Sequence, residues 1–246
     1  HDWEGKLPSR VAVEALRERA VAAARSVGVD DLQVCGHEVG DLHHEGEGLF
    51  SEDTRFLSRF RLTINGKRPL LLSSGKIEYF SAAFFMRNPL AGGLEQDVLS
   101  IRRERFVGEG MQDAFAVQNQ GMEPVEFDLE LEIATDFADI FAVKDYDFAL
   151  GDPLRAKPLP PPRPNEYDEE RNQFLISDDG NLPLKTQVIF SQRGEVNGSK
   201  VKFRLALQPR ERWNLDVEVI PLPDGELVTP RFAQRRFGEE VGRVRD

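Results

Sequence analysis

GLFSEDTRFLSRFRLTINGKRPLLLSSG, residues 48–75, contains the clearest hairpin signal of the chain. Apolar and polar residues alternate up to Ile64, and Asn65-Gly66 then interrupts the alternation. This dipeptide favours a type I′ turn, because both central residues of that turn need a positive φ. The turn predicts an antiparallel hairpin whose second strand begins at Lys67. The predicted cross-strand pairs are Ile64–Lys67, Leu62–Pro69 and Phe60–Leu71.

Alternating patterns recur along the rest of the chain. The strongest runs from Val125 to Ile133, where every second residue is apolar and the residues between are Glu or Asp. It predicts a half-buried antiparallel strand with a solvated acidic face, which we expect to pair with the arginines of residues 98–107. Further strands are predicted over residues 77–85, 98–107, 111–119, 174–176, 186–190, 201–207 and 213–219. About ten to fourteen strands without helical alternation indicate an all-β fold, a large antiparallel β-sandwich.

The domain organisation follows from the segments that flank this pattern. Ser9 to Val27 predicts a short N-terminal helix within residues 1–30, with Gly28 placed to end it. Residues 31–228 form a single predicted sandwich domain, interrupted by a Pro-rich loop over residues 152–168. Residues 229–246 are predicted to be a linker, and we expect the natural protein to continue beyond Asp246.

Composition excludes several classes of function. The formal net charge of the 246 residues is −11, which argues against nucleic acid and anionic membranes as partners. No apolar run approaches the roughly 18 residues needed for a membrane span. Cys35 is the single cysteine, so no intramolecular disulfide can form, and we expect a cytoplasmic location.

The sequence contains few groups of residues that could form a catalytic, metal or sugar-binding site. Glu52 with Asp53, and Asp136 with Asp139, could supply the two carboxyl groups of a glycosidase, but turn capping and salt bridges to Arg55 or Arg59 are the favoured explanation of these acids. His37, His43 and His44 lie near Cys35 but lack the spacing of a zinc site, so no metal and no cofactor is predicted. A sugar-stacking platform could be formed by Trp213, Tyr79, Tyr146 and Phe50, but Trp213 lies on the apolar side of its strand, which favours core packing.

Several quoted stretches resemble one known family. The segment 48–75, the sequence YFSAAFFMRNP at residues 79–89 and TDFADIFAVKD at residues 135–145 are similar to the N-terminal domain of bacterial glycogen debranching enzymes of the amylo-alpha-1,6-glucosidase type. The resemblance extends from Leu32 to Asp145 and more weakly through FRLALQP and WNLDVEV, residues 203–209 and 213–219. Family members often carry Glu where this chain has Ala142.

The resemblance implies a supersandwich-like β domain that precedes a barrel of paired α-helices. Catalytic carboxylates of such enzymes belong to that barrel, so no catalytic residue is assigned to this chain. The implied partners are a C-terminal catalytic domain of the same chain and an α-glucan. Asp53, Arg55, Asp136 and Asp139 are the candidate substrate-binding residues. A self-standing carbohydrate-binding module and a purely structural or interaction domain remain as alternatives.

Overall fold

The computed structural model describes residues 25–29, 32–36, 40–42, 46–78, 80–149, 152, 154–155, 157–180 and 182–226. Within these ranges the chain forms three antiparallel sheets and one short helix. None of the helical residues in these ranges belongs to a segment long and apolar enough to cross a bilayer. Because the described residues form antiparallel sheets with one short helix, the all-β prediction is confirmed.

The sheets combine strands from distant parts of the sequence. The first sheet has the order β1 (Arg25–Val29), β2 (Leu32–Gly36), β3 (Gly48–Ser51) and β4 (Thr54–Leu57). The second has the order β14 (Glu195–Asn197), β15 (Lys200–Leu207), β10 (Val125–Ala134) and β5 (Arg59–Ile64). The eight-stranded sheet has the order β11 (Asn165–Asp168), β12 (Gln173–Ser177), β13 (Lys185–Phe190), β16 (Arg212–Leu222), β9 (Met111–Asn119), β8 (Leu99–Val107), β7 (Ser81–Arg87) and β6 (Leu70–Glu78). Helix α1 spans Ile140–Phe148.

The main core lies between the sheets, because each sheet turns its apolar residues toward the same interior. Strand β10 shows the cause most clearly, since its apolar residues from Phe127 to Ile133 are buried. They join apolar residues of the first sheet, such as Leu49, and of the eight-stranded sheet, such as Phe115, in one cluster. Continuous burial of this kind supplies the main stabilisation of the fold.

The acidic face of β10 has different partners from those predicted. Lys200 Nζ lies 2.6 Å from Glu130 Oε1, and Lys202 Nζ lies 3.5 Å from Asp128 Oδ2. Glu132 accepts hydrogen bonds from Arg59 and Arg61. The expected pairing with the arginines of residues 98–107 was wrong, because the neighbours of β10 are β5 and β15.

The hairpin around Asn65-Gly66 is only partly as predicted. The type I′ turn is confirmed, since Asn65 and Gly66 have φ of 48° and 75° and Ile64 exchanges backbone hydrogen bonds with Lys67. The ladder ends there, and the predicted Leu62–Pro69 and Phe60–Leu71 pairs were wrong. Pro69 has no N–H to donate, and the chain after it leaves the second sheet and enters the eight-stranded sheet. Leu71 pairs instead with Met86, and Phe60 with Ile133.

Three segment boundaries also differ from the prediction. Residues 25–27, the end of the predicted N-terminal helix, belong to β1, while the rest of that helix and the predicted linker over residues 229–246 lie outside the described residues. The Pro-rich loop ends at Pro164, because residues 165–168 form β11. The strand predicted over residues 77–85 is divided between the end of β6 and the start of β7.

Candidate functional site

The tip of the β3–β4 hairpin is a two-residue turn made by Glu52 and Asp53. Their φ values are 46° and 63°, and Ser51 pairs with Thr54 across the turn. A type I′ turn favours Asn or Gly at both positions, so a Glu-Asp pair holds its backbone in a less favourable left-handed conformation. Both residues are exposed. The strand that follows this turn carries Arg55 into the interior.

Arg55 and Asp136 form an ion pair between β4 and the segment after β10. Arg55 Nε lies 3.0 Å from Asp136 Oδ1, and Nη2 donates to Oδ2. The Arg55 side chain is 1% exposed and that of Asp136 is 5% exposed. Arg55 Nη1 also donates to the carbonyl oxygen of Glu47 at 3.1 Å. A fork-shaped guanidinium fits a carboxylate in two bonds, which fixes the angle between the two segments.

Helix α1 is attached to the same hairpin. The Asp139 Oδ1 atom accepts the Phe141 N–H at 2.7 Å, which caps the start of the helix. The Asp53 carbonyl oxygen accepts the Ile140 N–H at 2.8 Å, and Arg55 N–H donates to the Ala138 carbonyl at 2.9 Å. The structure therefore brings the four sequence-predicted residues together in one hairpin–helix junction, defined here as residues 52–55 and 136–140.

Phe137 lies at the centre of this junction. Its φ is 51°, which is an uncommon conformation for a bulky side chain. Its ring packs edge-on against Phe56, with 5.7 Å between ring centroids. The two neighbouring residues, Asp136 and Ala138, are both buried, so packing on each side holds the strained backbone in place.

A cavity of about 310 Å³ opens beside the ion pair. Its polar wall includes Arg55, Asp136 and Arg59, and Tyr146 of helix α1 lies at one side. Ser58 and the Pro-rich segment 158–162 complete the lining. The cavity thus joins a buried ion pair to a stiff proline segment.

The chemistry available at the junction is limited by these contacts. Glycoside hydrolysis needs two carboxyl groups on opposite sides of a sugar bond. Both oxygens of Asp136 accept hydrogen bonds from Arg55, and Asp139 caps a helix. Asp53 is held in the turn by its backbone. The junction therefore acts as a structural clamp that orients helix α1 and the Pro-rich segment.

Sequence reasoning missed a buried ionic cluster in the core. Asp113 accepts hydrogen bonds from Arg103 Nε at 2.6 Å and from Arg105 Nε at 2.7 Å. Asp41 accepts from Arg103 Nη1 at 2.9 Å. The Arg103 guanidinium also lies 5.0 Å from the ring centroid of Phe60, a cation–π contact. Burial lowers the pKa of the Arg103 guanidinium, and the nearby carboxylates oppose this shift. The signal was present in the sequence, because Arg103 and Arg105 share a strand face with the core residues Leu99 and Ile101.

The proposed sugar-stacking platform is not assembled. Phe50 is buried, and Trp213 packs against Phe203 with 5.3 Å between ring centroids. Tyr146 lines the cavity of the junction, and Tyr79 lies outside the described residues. The three histidines near Cys35 also lie outside those residues, and among the ranges that are described no group of three or more His, Cys, Asp or Glu side chains could hold a metal ion.

Known proteins share this architecture. A family model for the N-terminal domain of (some) glycogen debranching enzymes matches residues 29–218. No curated protein sequence matches the chain. A protein assigned provisionally as an aldose 1-epimerase from Escherichia coli K12 superposes with a TM-score of 0.50 at 9% identity, covering 80% of this chain and 98% of that one.

Two further solved structures are similar at a lower level. A protein from the human microbiome, assigned provisionally as a kojibiose phosphorylase, superposes with a TM-score of 0.48 at 9% identity and over 93% of this chain. This chain spans 33% of the length of that protein. A galactose mutarotase-like protein from Clostridium acetobutylicum has a TM-score of 0.44 at 7% identity, covering 82% of this chain and 94% of that one. At identities this low, the structural similarity concerns the fold alone.

Proposed function

The chain belongs to the family of N-terminal domains of (some) glycogen debranching enzymes, and from this membership we infer that it is a non-catalytic β-sandwich of a cytoplasmic amylo-alpha-1,6-glucosidase that acts on glycogen or a related α-glucan. The catalytic carboxylates are supplied by a helical barrel elsewhere in the parent protein. The observation that carries this proposal is the match of the family model over residues 29–218.

The contacts within the hairpin–helix junction favour a structural role for the domain. Asp136 is bound by Arg55 and by the Ala138 N–H, and Asp139 caps helix α1, so these two acids are committed to holding the fold. A clamp of this kind fixes the position of helix α1 relative to the sandwich. The domain can then present that helix to a neighbouring domain in one orientation.

The surface around helix α1 has the composition of a domain contact. Phe141 is 65% exposed and Leu154 is 94% exposed. A cavity of about 780 Å³ is lined by Ala142, Asp145 and Phe148 of helix α1, and the Phe148 side chain is 72% exposed. Exposed large apolar side chains beside a concavity mark protein-binding surfaces. We assign this surface, defined by Phe141, Ala142, Asp145 and Leu154, to contact with the helical catalytic domain.

The first experiment tests whether the chain is inactive alone. Purified chain is incubated with glycogen limit dextrin, and released glucose is measured. We expect no release above background, because Asp136 and Asp139 are bound within the fold and the proposed catalytic carboxylates belong to another domain. Release that is abolished by Asp53→Ala or Asp139→Ala, with the variant still folded, would place the active site within this chain and refute the proposal.

A second experiment tests the contact surface in the full protein encoded by the reading frame that contains this chain. Phe141→Ser and Leu154→Ser are combined and compared with the control Leu182→Ser, whose side chain is 61% exposed on the loop before β13. We expect the double variant, and not the control, to reduce α-1,6-glucosidase activity and to separate the thermal unfolding of the two domains. Equal effects of both variants would contradict the assignment.

A further inference from the structure

Two rows of residues cross four strands on the outer face of the eight-stranded sheet. Strand registry places Phe85 beside Arg102, Arg102 beside Ala116, and Ala116 beside Asn214. The adjacent row is Arg87, Ser100, Gln118 and Arg212. Both rows face away from the core, because the residues between them in each strand, such as Met86, Ile101 and Val117, are buried in it. We call these two rows, together with Leu72, the outer-face trough.

The first row is apolar at one end. Phe85 is 44% exposed and Leu72 is 54% exposed. The Arg102 guanidinium lies 5.9 Å from the ring centroid of Phe85. Ala116 follows, and its small side chain leaves space between the larger neighbours. A cavity of about 230 Å³ occupies this position, lined by Leu72, Phe85, Arg102, Ala116 and Gln118 among others.

The second row is a fixed network of planar polar groups. Gln120 Nε2 donates to Ser100 Oγ and to Gln118 Oε1, each at 3.0 Å. Arg212 Nη2 donates to the same Gln118 oxygen at 3.3 Å, and Gln118 Nε2 donates to the Arg210 carbonyl at 3.0 Å. These bonds hold the amides in one orientation while leaving them at the surface. Preorganised groups lose little conformational entropy when they bind a ligand.

We propose that the outer-face trough binds a neutral oligosaccharide chain. Pyranose rings have an apolar C–H face, which fits an exposed aromatic ring, and an edge of hydroxyl groups, which fits amide and guanidinium donors. Phe85 supplies the first kind of contact, and Gln118 with Arg212 supplies the second. Arg102 is ion-paired with Glu104, and the chain carries a net charge of −11, so the trough does not have the strongly basic character that a polyanion needs.

This site is separate from the hairpin–helix junction and gives the domain a binding function of its own. The residues and distances that define the trough do not depend on the proposed function. The inference rests on the proposed function only for the choice of an α-glucan as the first probe. A glucan held on the sheet would raise the local concentration of substrate for a linked catalytic domain.

The test uses affinity electrophoresis of the purified chain in native gels that contain glycogen, with β-glucan and mannan gels beside them. Phe85→Ala and Gln118→Ala are the test variants, and Leu182→Ala is the control because it removes an apolar side chain that is 61% exposed on the loop before β13, outside the trough. We expect glycogen to retard the wild type and Leu182→Ala. Phe85→Ala should weaken the association about tenfold, the size of effect typical of a central aromatic contact. Gln118→Ala should weaken it several-fold, and thermal unfolding should stay unchanged in all three variants.

The other possible outcomes distinguish failure of the trough from failure of the proposed function. Retardation by β-glucan or mannan but not glycogen, lost in Phe85→Ala, supports the trough and contradicts the α-glucan part of the proposed function. Migration unaffected by all three polysaccharides overturns the trough while leaving the proposed function standing. Binding that survives Phe85→Ala and Gln118→Ala overturns it as well, because the ligand then lies elsewhere. Self-association that Phe85→Ala abolishes, without any glucan binding, would show that the trough contacts protein and would likewise overturn the proposal.

Discussion

Arg55 and Asp136 meet in a two-bond ion pair although 81 residues separate them in the sequence. The pair joins the β3–β4 hairpin to the segment that leads into helix α1. Because both side chains are almost fully buried, each depends on the other for compensation of its charge. Removal of one partner therefore leaves the other charge buried without compensation.

Asp136→Asn is expected to lower the free energy of unfolding by about 3–5 kcal/mol, since Arg55 would keep its charge in a buried position. Urea unfolding monitored by fluorescence measures the change. Asp145→Asn is the control, because Asp145 is exposed on helix α1, and it should change the stability by less than about 0.5 kcal/mol. Similar losses in both variants would show that the pair is not a clamp.

Asp53→Gly is expected to raise the free energy of unfolding by about 1 kcal/mol, because the φ of 63° strains a side chain but not glycine. Glu169→Gly, at an exposed position without a positive φ, should instead lower stability by about 0.5–1 kcal/mol. Thermal and urea unfolding distinguish the two signs. A loss of stability in Asp53→Gly would mean that its side chain, rather than the turn, determines stability at this site.

Gly48→Ala is expected to destabilise the protein by about 1–3 kcal/mol. A Cβ atom at Gly48 would lie 2.6 Å from Arg55 Cδ and 2.8 Å from the Leu57 carbonyl oxygen. It would therefore displace the buried arginine or the adjacent strand. Gly75→Ala is the matched control, since no atom lies within 4 Å of the added Cβ, and it should leave stability unchanged or slightly higher. Equal midpoints of urea unfolding would contradict this account of Gly48.

The stability of the protein is expected to fall as the pH is lowered. Desolvation alone would raise the pKa of Glu132, but the hydrogen bond from Arg59 and the charges of Arg61 and Arg59 lower the pKa below its usual value. Asp113 also has a lowered pKa, because Arg103 and Arg105 outweigh its desolvation. A carboxyl with a lower pKa in the folded state stabilises the fold above its unfolded pKa. That contribution is lost as the pH falls through the folded pKa.

Urea unfolding between about pH 6 and pH 3 measures this dependence. Glu132→Gln should lower stability at pH 6 and should give a shallower decline toward acid than the wild type. Arg61→Met should move the decline to higher pH, because one of the guanidinium groups that lower the pKa of Glu132 is removed. Parallel curves for wild type and Glu132→Gln would show that this carboxyl does not couple protonation to folding.

The strands themselves could be read from the sequence to a large extent, because burial of one sheet face imposes a period of two on the residues. Residues 125–133 illustrate this, since all four apolar residues from Phe127 to Ile133 are buried as predicted. The partners of a strand could not be read in the same way. Hydrogen bonding between distant segments decides them, so Phe60 pairs with Ile133 rather than with Leu71.

The sequence predicts the candidate site as a set of positions and favours capping and salt bridges to Arg55 or Arg59 for its acids. Asp53, Arg55, Asp136 and Asp139 do converge at one junction, where Arg55 binds Asp136 and Asp139 caps helix α1. The pattern could not show which acid Arg55 meets, because its partner lies on a segment that is distant in the sequence. Arg103 and Arg105 show a related limit. A pattern of alternating apolar and polar residues predicts that arginine side chains face solvent. Here the carboxylate of Asp113 pairs with both guanidinium groups, so they can be buried.

The interior position of β16, between β9 and β13, has a consequence for biosynthesis. While the ribosome is still adding Arg212 and the residues after it, β9 and β13 each lack a neighbour and present open N–H and C=O groups. Closure of the widest layer therefore waits until β16 has been translated, and until then the open edges of β9 and β13 are exposed to pairing with other chains.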